Sequence, residues 1–336
     1  MTTPQEQMSR MLTTYWVSQA LYVAAKLKLA DRLKEGPRTA DELAGATGTH
    51  AASLYRLLRG LASVGVFAED DRHRFALTPL AECLRSDVPG SQWAMAVMNG
   101  EEHYLSWGEL LYSVQTGKPA FEKLFGAGVF DFLSRDPEKA RIFDEAMVGV
   151  HGRETAAMLD AYDFSSTRVL ADVGGGNGSL LTAVLKRYPG MRGILFDLPG
   201  VAERARANLA SAGLSGRCEV VGGDFFASVT GGPDTYLLRH IIHDWDDERA
   251  VRILKNVHRA LGNGGKLLLV ESVIPPGNAP SFGKLLDLTM LVIPGGKERT
   301  EEEYRELFAA AGFRLTRIVP TAAEVCVIEG EQAVLK

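Results

Sequence analysis

The run Leu170-Ala171-Asp172-Val173-Gly174-Gly175-Gly176-Asn177-Gly178 constrains this chain more than any other feature. An apolar strand leads into glycines too small to block a ligand, and a helix is expected to open at Ser179. The next apolar run, Ile194-Leu195-Phe196-Asp197, ends 23 residues after Gly174 and delivers a carboxylate where a ribose diol would lie. That is the layout of a nucleoside-binding α/β site. It departs from the G-x-G-x-x-G dinucleotide fingerprint, because the third glycine would fall at Ser179. The acid before the loop, Asp172, suits an amine or sulfonium and suits a pyrophosphate poorly. The ligand reading therefore turns from NAD to S-adenosylmethionine (SAM).

The surrounding pattern agrees. From Arg168 onward, strands are expected at 168–174, 192–198, 218–223, 234–240 and 266–272. They alternate with helices at 179–188, 200–212, 246–261 and 301–312, and two β runs, 314–319 and 325–329, close the pattern. This predicts an α/β fold for residues 166–336: a doubly wound, Rossmann-like, mostly parallel sheet with an antiparallel edge. Residues 1–100 read as a helical domain, and 101–165 as a helical linker rich in Met and aromatic residues that could wall a substrate pocket. Within the first segment, Thr39–Leu43 opens a helix, Gly48 separates it from a second at Ala51–Val64, and two short β runs flank a polar turn at Glu69–His73. That order is a winged-helix pattern. The acidic wing and a net charge of −5 favour a structural module over a DNA reader, so no nucleic-acid partner is expected. The helix around Leu12–Leu27 is apolar over more than one face, which calls for cover by the C-terminal domain or a second subunit; of the two, a homodimer is expected. Three cysteines lack metal-ligand spacing, no apolar run reaches membrane-spanning length, and no secretory leader is seen; a cytoplasmic protein without a structural metal is expected.

Three further groups carry chemistry. Gly223-Asp224-Phe225-Phe226 ends the third strand, where an acid and an aromatic could hold and cover an adenine; alternatively Asp224 caps a turn and Phe225 is core. The fourth strand leads into Arg239-His240-Ile241-Ile242-His243-Asp244-Trp245. If it neighbours the first strand, His243 stands beside the Gly174 loop, where an imidazole could take a proton from a hydroxyl. Either Glu271 or Glu298 could accept its other N–H.

Taken in order, these motifs resemble the plant-type and bacterial small-molecule O-methyltransferases, the family of the caffeic acid, acetylserotonin and hydroxyindole enzymes. The resemblance covers nearly the whole chain and implies a dimerisation domain ahead of a SAM-binding one. It implies cofactor contacts at Gly174, Gly176, Asp197, Asp224, Phe225 and Arg239, with lysine more usual at the last position. It also implies His243 as catalytic base flanked by Glu271 and Glu298, no metal, and S-adenosylhomocysteine as product. The acceptor would be a small aromatic carrying a phenolic hydroxyl. Two alternatives stay open: N-methylation or non-methylating chemistry such as decarboxylation or hydroxylation on the same scaffold, and a winged-helix regulator that senses a metabolite.

Overall fold

Strands buried on both faces must be apolar at consecutive positions, and the central strands of the second half of the chain meet that demand. The computed structural model describes residues 2–262 and 264–333, with the backbone alone at 150 and 151. The chain forms two compact units: Met1–Gly108 with Phe132–Val150, and Glu109–Asp131 with His151–Lys336. The helical segment 101–165 is thus divided between them, and the helix Pro137–Ala161 supplies residues to both.

In the first unit, Thr39 and Glu42 form a reciprocal capping box that starts the helix Ala40–Thr47. Gly48, at φ +68°, ends it in the left-handed conformation that glycine tolerates. The helix Ala51–Ser63 buries Leu54, Leu58 and Leu61, spaced to share one face. Three strands, β1 (Arg38–Thr39), β2 (Phe67–Glu69) and β3 (Arg74–Leu77), follow the order β1-β3-β2 and bury Phe67 and Phe75. The apolar stretch at the beginning is two helices, Pro4–Leu12 and Tyr15–Lys26. Met8, Met11, Leu12, Tyr15 and Trp16 are each more than half exposed on the single chain.

In the second unit, seven strands make one sheet: β4 (Val169–Val173), β5 (Arg192–Asp197), β6 (Cys218–Gly222), β7 (Thr235–Arg239), β8 (Lys266–Glu271), β9 (Phe313–Pro320) and β10 (Cys326–Gln332). Their order is β6-β5-β4-β7-β8-β10-β9, parallel as far as β8 and antiparallel beyond it. Side chains alternate in two directions. Ala171, Val173, Tyr236, Leu238, Leu267 and Leu269 pack with the helices Asp247–Ala260 and Glu301–Ala310. Leu170, Leu237, Leu268 and Val270 pack with Ser179–Arg187 and Pro199–Ser211. Each such leucine, fully withdrawn from water, contributes about 1.5–3 kcal/mol.

The consequence for function is topological. β4 pairs with β5 on one side and β7 on the other, so the winding reverses at β4. A crevice opens beyond the carboxyl ends of the strands at such a point. The two loops that meet there are 174–178 and 240–246.

Candidate active site

The glycine loop is built for close approach. Gly174, Gly176 and Gly178 all have positive φ, of +74°, +55° and +79°. A Cβ on Gly174 would fall 2.3 Å from Ile241 Cδ1, and Phe225 lies next to it. The loops after β4 and β7 therefore touch through Gly174 and Ile241, two residues from His243. Asp197, at the end of β5, accepts the Gly176 N–H (2.8 Å) and the Leu198 N–H (2.7 Å), which ties the glycine loop to the neighbouring strand. Asp172 is buried, and its Oδ2 has no hydrogen-bond partner among the described residues. Burial pushes its carboxyl up to about 7, against the pull of the Arg239 guanidinium. Arg239 ends β7 and donates to Thr155 Oγ1 at 2.8 Å.

Asp224 is exposed, and its Oδ1 accepts the Phe226 N–H at 2.8 Å. It caps the turn after β6. Phe225 and Phe226 stack edge-on with Trp245, forming an aromatic cluster beside the Gly174 loop.

β7 stops at Arg239 because His240 turns left-handed, at φ +52°. A short 3-10 turn, Ile242–Asp244, follows. Glu271, at the end of β8 and completely buried, accepts the N–H groups of Ile241 (3.1 Å) and Ile242 (2.9 Å) through Oε1. This carboxylate caps the turn and so aims His243. The Nδ1–H of His243 donates to Glu298 Oε1 at 2.7 Å, while Glu271 Oε2 stands 3.6 Å from the same nitrogen. Of the two acids that could accept the imidazole N–H, Glu298 does so. Nε2 lies 3.6 Å from Asp244 Oδ1.

Two residues without a role in the sequence reading hold Glu298 in place. Lys297 N–H donates to the His243 carbonyl (2.9 Å), and the guanidinium of fully buried Arg299 donates to the carbonyls of Ile242 (3.1 Å) and Trp245 (2.9 Å). Arg299 also pairs with Asp247 Oδ1 at 2.8 Å. The fork of one arginine thus staples the Glu298 segment to the turn that carries the histidine. His240 also escaped notice. Its Nε2–H donates to Glu154 Oε2 at 2.9 Å. The available signal was the spacing His240-Ile241-Ile242-His243, which returns two imidazoles to one side of a tight turn.

Burial works against a charge on His243, but Glu271, Asp244 and Glu298 outweigh it and raise the imidazole to about 10. Asp244 is itself pushed up to about 7, by burial against the attraction of His243. The constellation places a buried imidazole of high proton affinity beside the glycine loop. Such a pair can align a hydroxyl and remove its proton.

Comparison with known proteins identifies the family. Residues 107–314 match the family model of the O-methyltransferase domain, and residues 9–87 match that of the O-methyltransferase dimerisation domain. A phenazine O-methyltransferase of Lysobacter antibioticus is 49% identical over 95% of this chain and 94% of its own length. A mitomycin biosynthesis 6-O-methyltransferase of Streptomyces lavendulae is 40% identical over 95% of this chain and 92% of its own. The structure of human N-acetylserotonin methyltransferase in complex with SAM superimposes with a TM-score of 0.91 at 27% identity, over 99% of both chains. The glycine crevice, the His243–Glu298 pair and these likenesses converge: the chain belongs to the SAM-dependent O-methyltransferase family.

Proposed function

We propose that the chain methylates a phenolic hydroxyl of a small planar aromatic acceptor, with His243 as the general base that Glu298 orients and Glu271 aims. The observation that carries this reading is the 2.7 Å bond from His243 Nδ1 to Glu298, which leaves Nε2 as the nitrogen that can take a proton. An amine nucleophile attacks through its free lone pair and needs no such base, so O-methylation fits better than N-methylation. A phenol of pKa about 10 is matched to an imidazole raised to about 10. An aliphatic alcohol is far too weak an acid to be served by this group. The relative 49% identical to this chain is named for phenazine, which makes a hydroxyphenazine the first acceptor to try.

The residues present fit SAM. The open space at Gly176, where an added Cβ would meet nothing within 4 Å, and a buried Asp172 oxygen without a hydrogen-bond partner among the described residues suit a close-lying ligand that brings positive charge. Gly174, Gly176, Asp197, Phe225 and Arg239 would hold it, and Asp224 at the mouth would add a contact if its side chain leaves the Phe226 N–H. When bound, SAM supplies a methyl group already activated by its sulfonium. The chain's own task is to hold the acceptor oxygen in line with that methyl and receive its proton at His243 Nε2.

Binding of SAM should depend on pH through Asp172. A carboxyl at about 7 is neutral below that pH and has no charge to offer a cationic ligand. Calorimetric titration with SAM is expected to show affinity falling by up to ~10-fold per pH unit below 7. Asp172→Asn should bind weakly at every pH. Affinity in the wild type that stays level between pH 5 and 8 would refute the role of Asp172.

The exposed apolar side chains of the first two helices, together with the dimerisation domain, support a homodimer as the active form. Sedimentation equilibrium is expected to return the mass of two chains, and replacing Leu12 and Trp16 by glutamate should return that of one.

A further inference from the structure

We infer that His240, His243 and Glu271 form a binding site for one divalent metal ion of the zinc class, and that an ion held there silences the enzyme. Only the second clause rests on His243 being the base. The three donor atoms lie within 4.8 Å of one another. Glu271 Oε2 stands 3.6 Å from His243 Nδ1 and 3.8 Å from His240 Nδ1. A tetrahedral ion with bonds of about 2.0–2.1 Å needs donors about 3.3 Å apart, so each imidazole must close on Glu271 Oε2 by a few tenths of an ångström, and the two imidazoles, within 4.8 Å of each other, by up to about 1.5 Å.

Three observations point to a ligand beyond this spacing. The Glu271 side chain is completely buried, and its Oε2, aimed between the two imidazoles, accepts no hydrogen bond among the described residues. His240 holds a left-handed backbone, at φ +52°, which a residue with a Cβ seldom adopts. Its ring is thereby placed with Nδ1 toward Glu271 while Nε2–H donates to Glu154 at 2.9 Å. A carboxylate on the far nitrogen is the usual support of a metal-ligating histidine, fixing its tautomer and orientation. Finally, four carboxylates, from Glu154, Asp244, Glu271 and Glu298, surround these two imidazoles. The nearby Arg299 is turned to Asp247, and Tyr304 donates to the Ser272 carbonyl, so neither cancels that surplus. A field that attracts protons attracts a dication twice as strongly.

Two imidazoles and a carboxylate suit zinc, cobalt or nickel and poorly suit magnesium or calcium. Coordination would take the Nδ1 position of His243 from its proton and free Glu298 to serve as a fourth ligand. A histidine so held cannot accept a proton from the acceptor by the same arrangement.

The test is calorimetric titration of Zn2+ into chelator-treated, full-length protein, with Co2+ absorption as a report on coordination. One ion per chain is expected, with a micromolar dissociation constant, protons released on binding, and four-coordinate cobalt bands. His240→Asn keeps a side chain that tolerates the left-handed backbone, and Glu271→Gln keeps an oxygen for the two N–H groups. Each should weaken Zn2+ at least ~10-fold, with melting temperatures confirming that the variants fold. The site is overturned if the wild type takes up no Zn2+, or if both folded variants bind it as well as the wild type does. Methyl transfer is followed in parallel and should be lost with Zn2+ and restored by a chelator. Zn2+ bound with the rate undiminished would leave the metal site standing and remove His243 as base.

Discussion

His243→Ala is expected to lower kcat by ~10²–10⁴-fold while leaving SAM affinity unchanged. The imidazole is buried, oriented by a 2.7 Å bond to Glu298, and raised to about 10 by its acidic neighbours. At neutral pH the resting group is therefore protonated, and only a small fraction is competent to accept a proton. From this the pH dependence follows in sign and position. The wild-type rate should climb by up to ~10-fold per unit from neutrality toward pH 10, as the base loses its proton, and then level off. Glu298→Gln removes one of the carboxylates that hold the proton, so its rising limb should move to lower pH. A phenol also ionises in this range, so the profile is to be run with two acceptors of different acidity. A limb that follows the enzyme stays put between them, and a limb that follows the acceptor moves. Radiolabelled methyl transfer measures the rates, and calorimetry measures SAM. Wild-type turnover by His243→Ala would end the assignment.

Gly296→Ala should be nearly as damaging, although residue 296 bears no functional group. A Cβ there would stand 2.0 Å from the His243 carbonyl oxygen, 2.4 Å from Asp244 C and 2.6 Å from Trp245 N. All three are backbone atoms, which cannot swing aside as the tip of a side chain can. The segment would have to lift, and with it would go the Lys297 N–H bond to His243, the Arg299 staple and the approach of Glu298 to the imidazole. The expected result is a loss of about 1–3 kcal/mol in stability from overpacking, and a fall in kcat of ~100-fold as the base loses its orienting acid. Gly45→Ala is the control: it lies in a helix with open space around it and should be neutral or slightly stabilising. Thermal melts and turnover numbers for the pair decide the matter. A Gly296→Ala enzyme that melts and turns over like the wild type would show that the close approach is dispensable.

The glycine loop and the acids around it illustrate what can be read from a chain and what cannot. Apart from Asp172 and Glu271, the buried positions of Val169–Val173 and Lys266–Glu271 are apolar on both faces, so strand and burial were legible without coordinates. Gly174, His243, Glu271 and Glu298 were legible as a set because each falls at the end of a strand or in a loop at a recognisable interval. Which acid meets the imidazole was not legible. Glu271 and Glu298 differ in their partners: one spends an oxygen on two backbone N–H groups, and the other reaches Nδ1. Asp224 shows the same limit, since an acid after a strand can cap its own turn as readily as face a ligand, and here it caps.

The sequence by itself determined the sheet, the place of the crevice and the residue types available for catalysis. These depend on local periodicity, on glycine's conformational freedom and on the rule that winding reverses beside the first strand. Only the tertiary structure decided the charge state of the site. The proton affinity of His243, the neutral tendency of Asp172 and the Arg299 staple draw on groups far apart in the chain, brought together where water is excluded. Burial and Coulomb terms act through space and carry no mark in the order of residues.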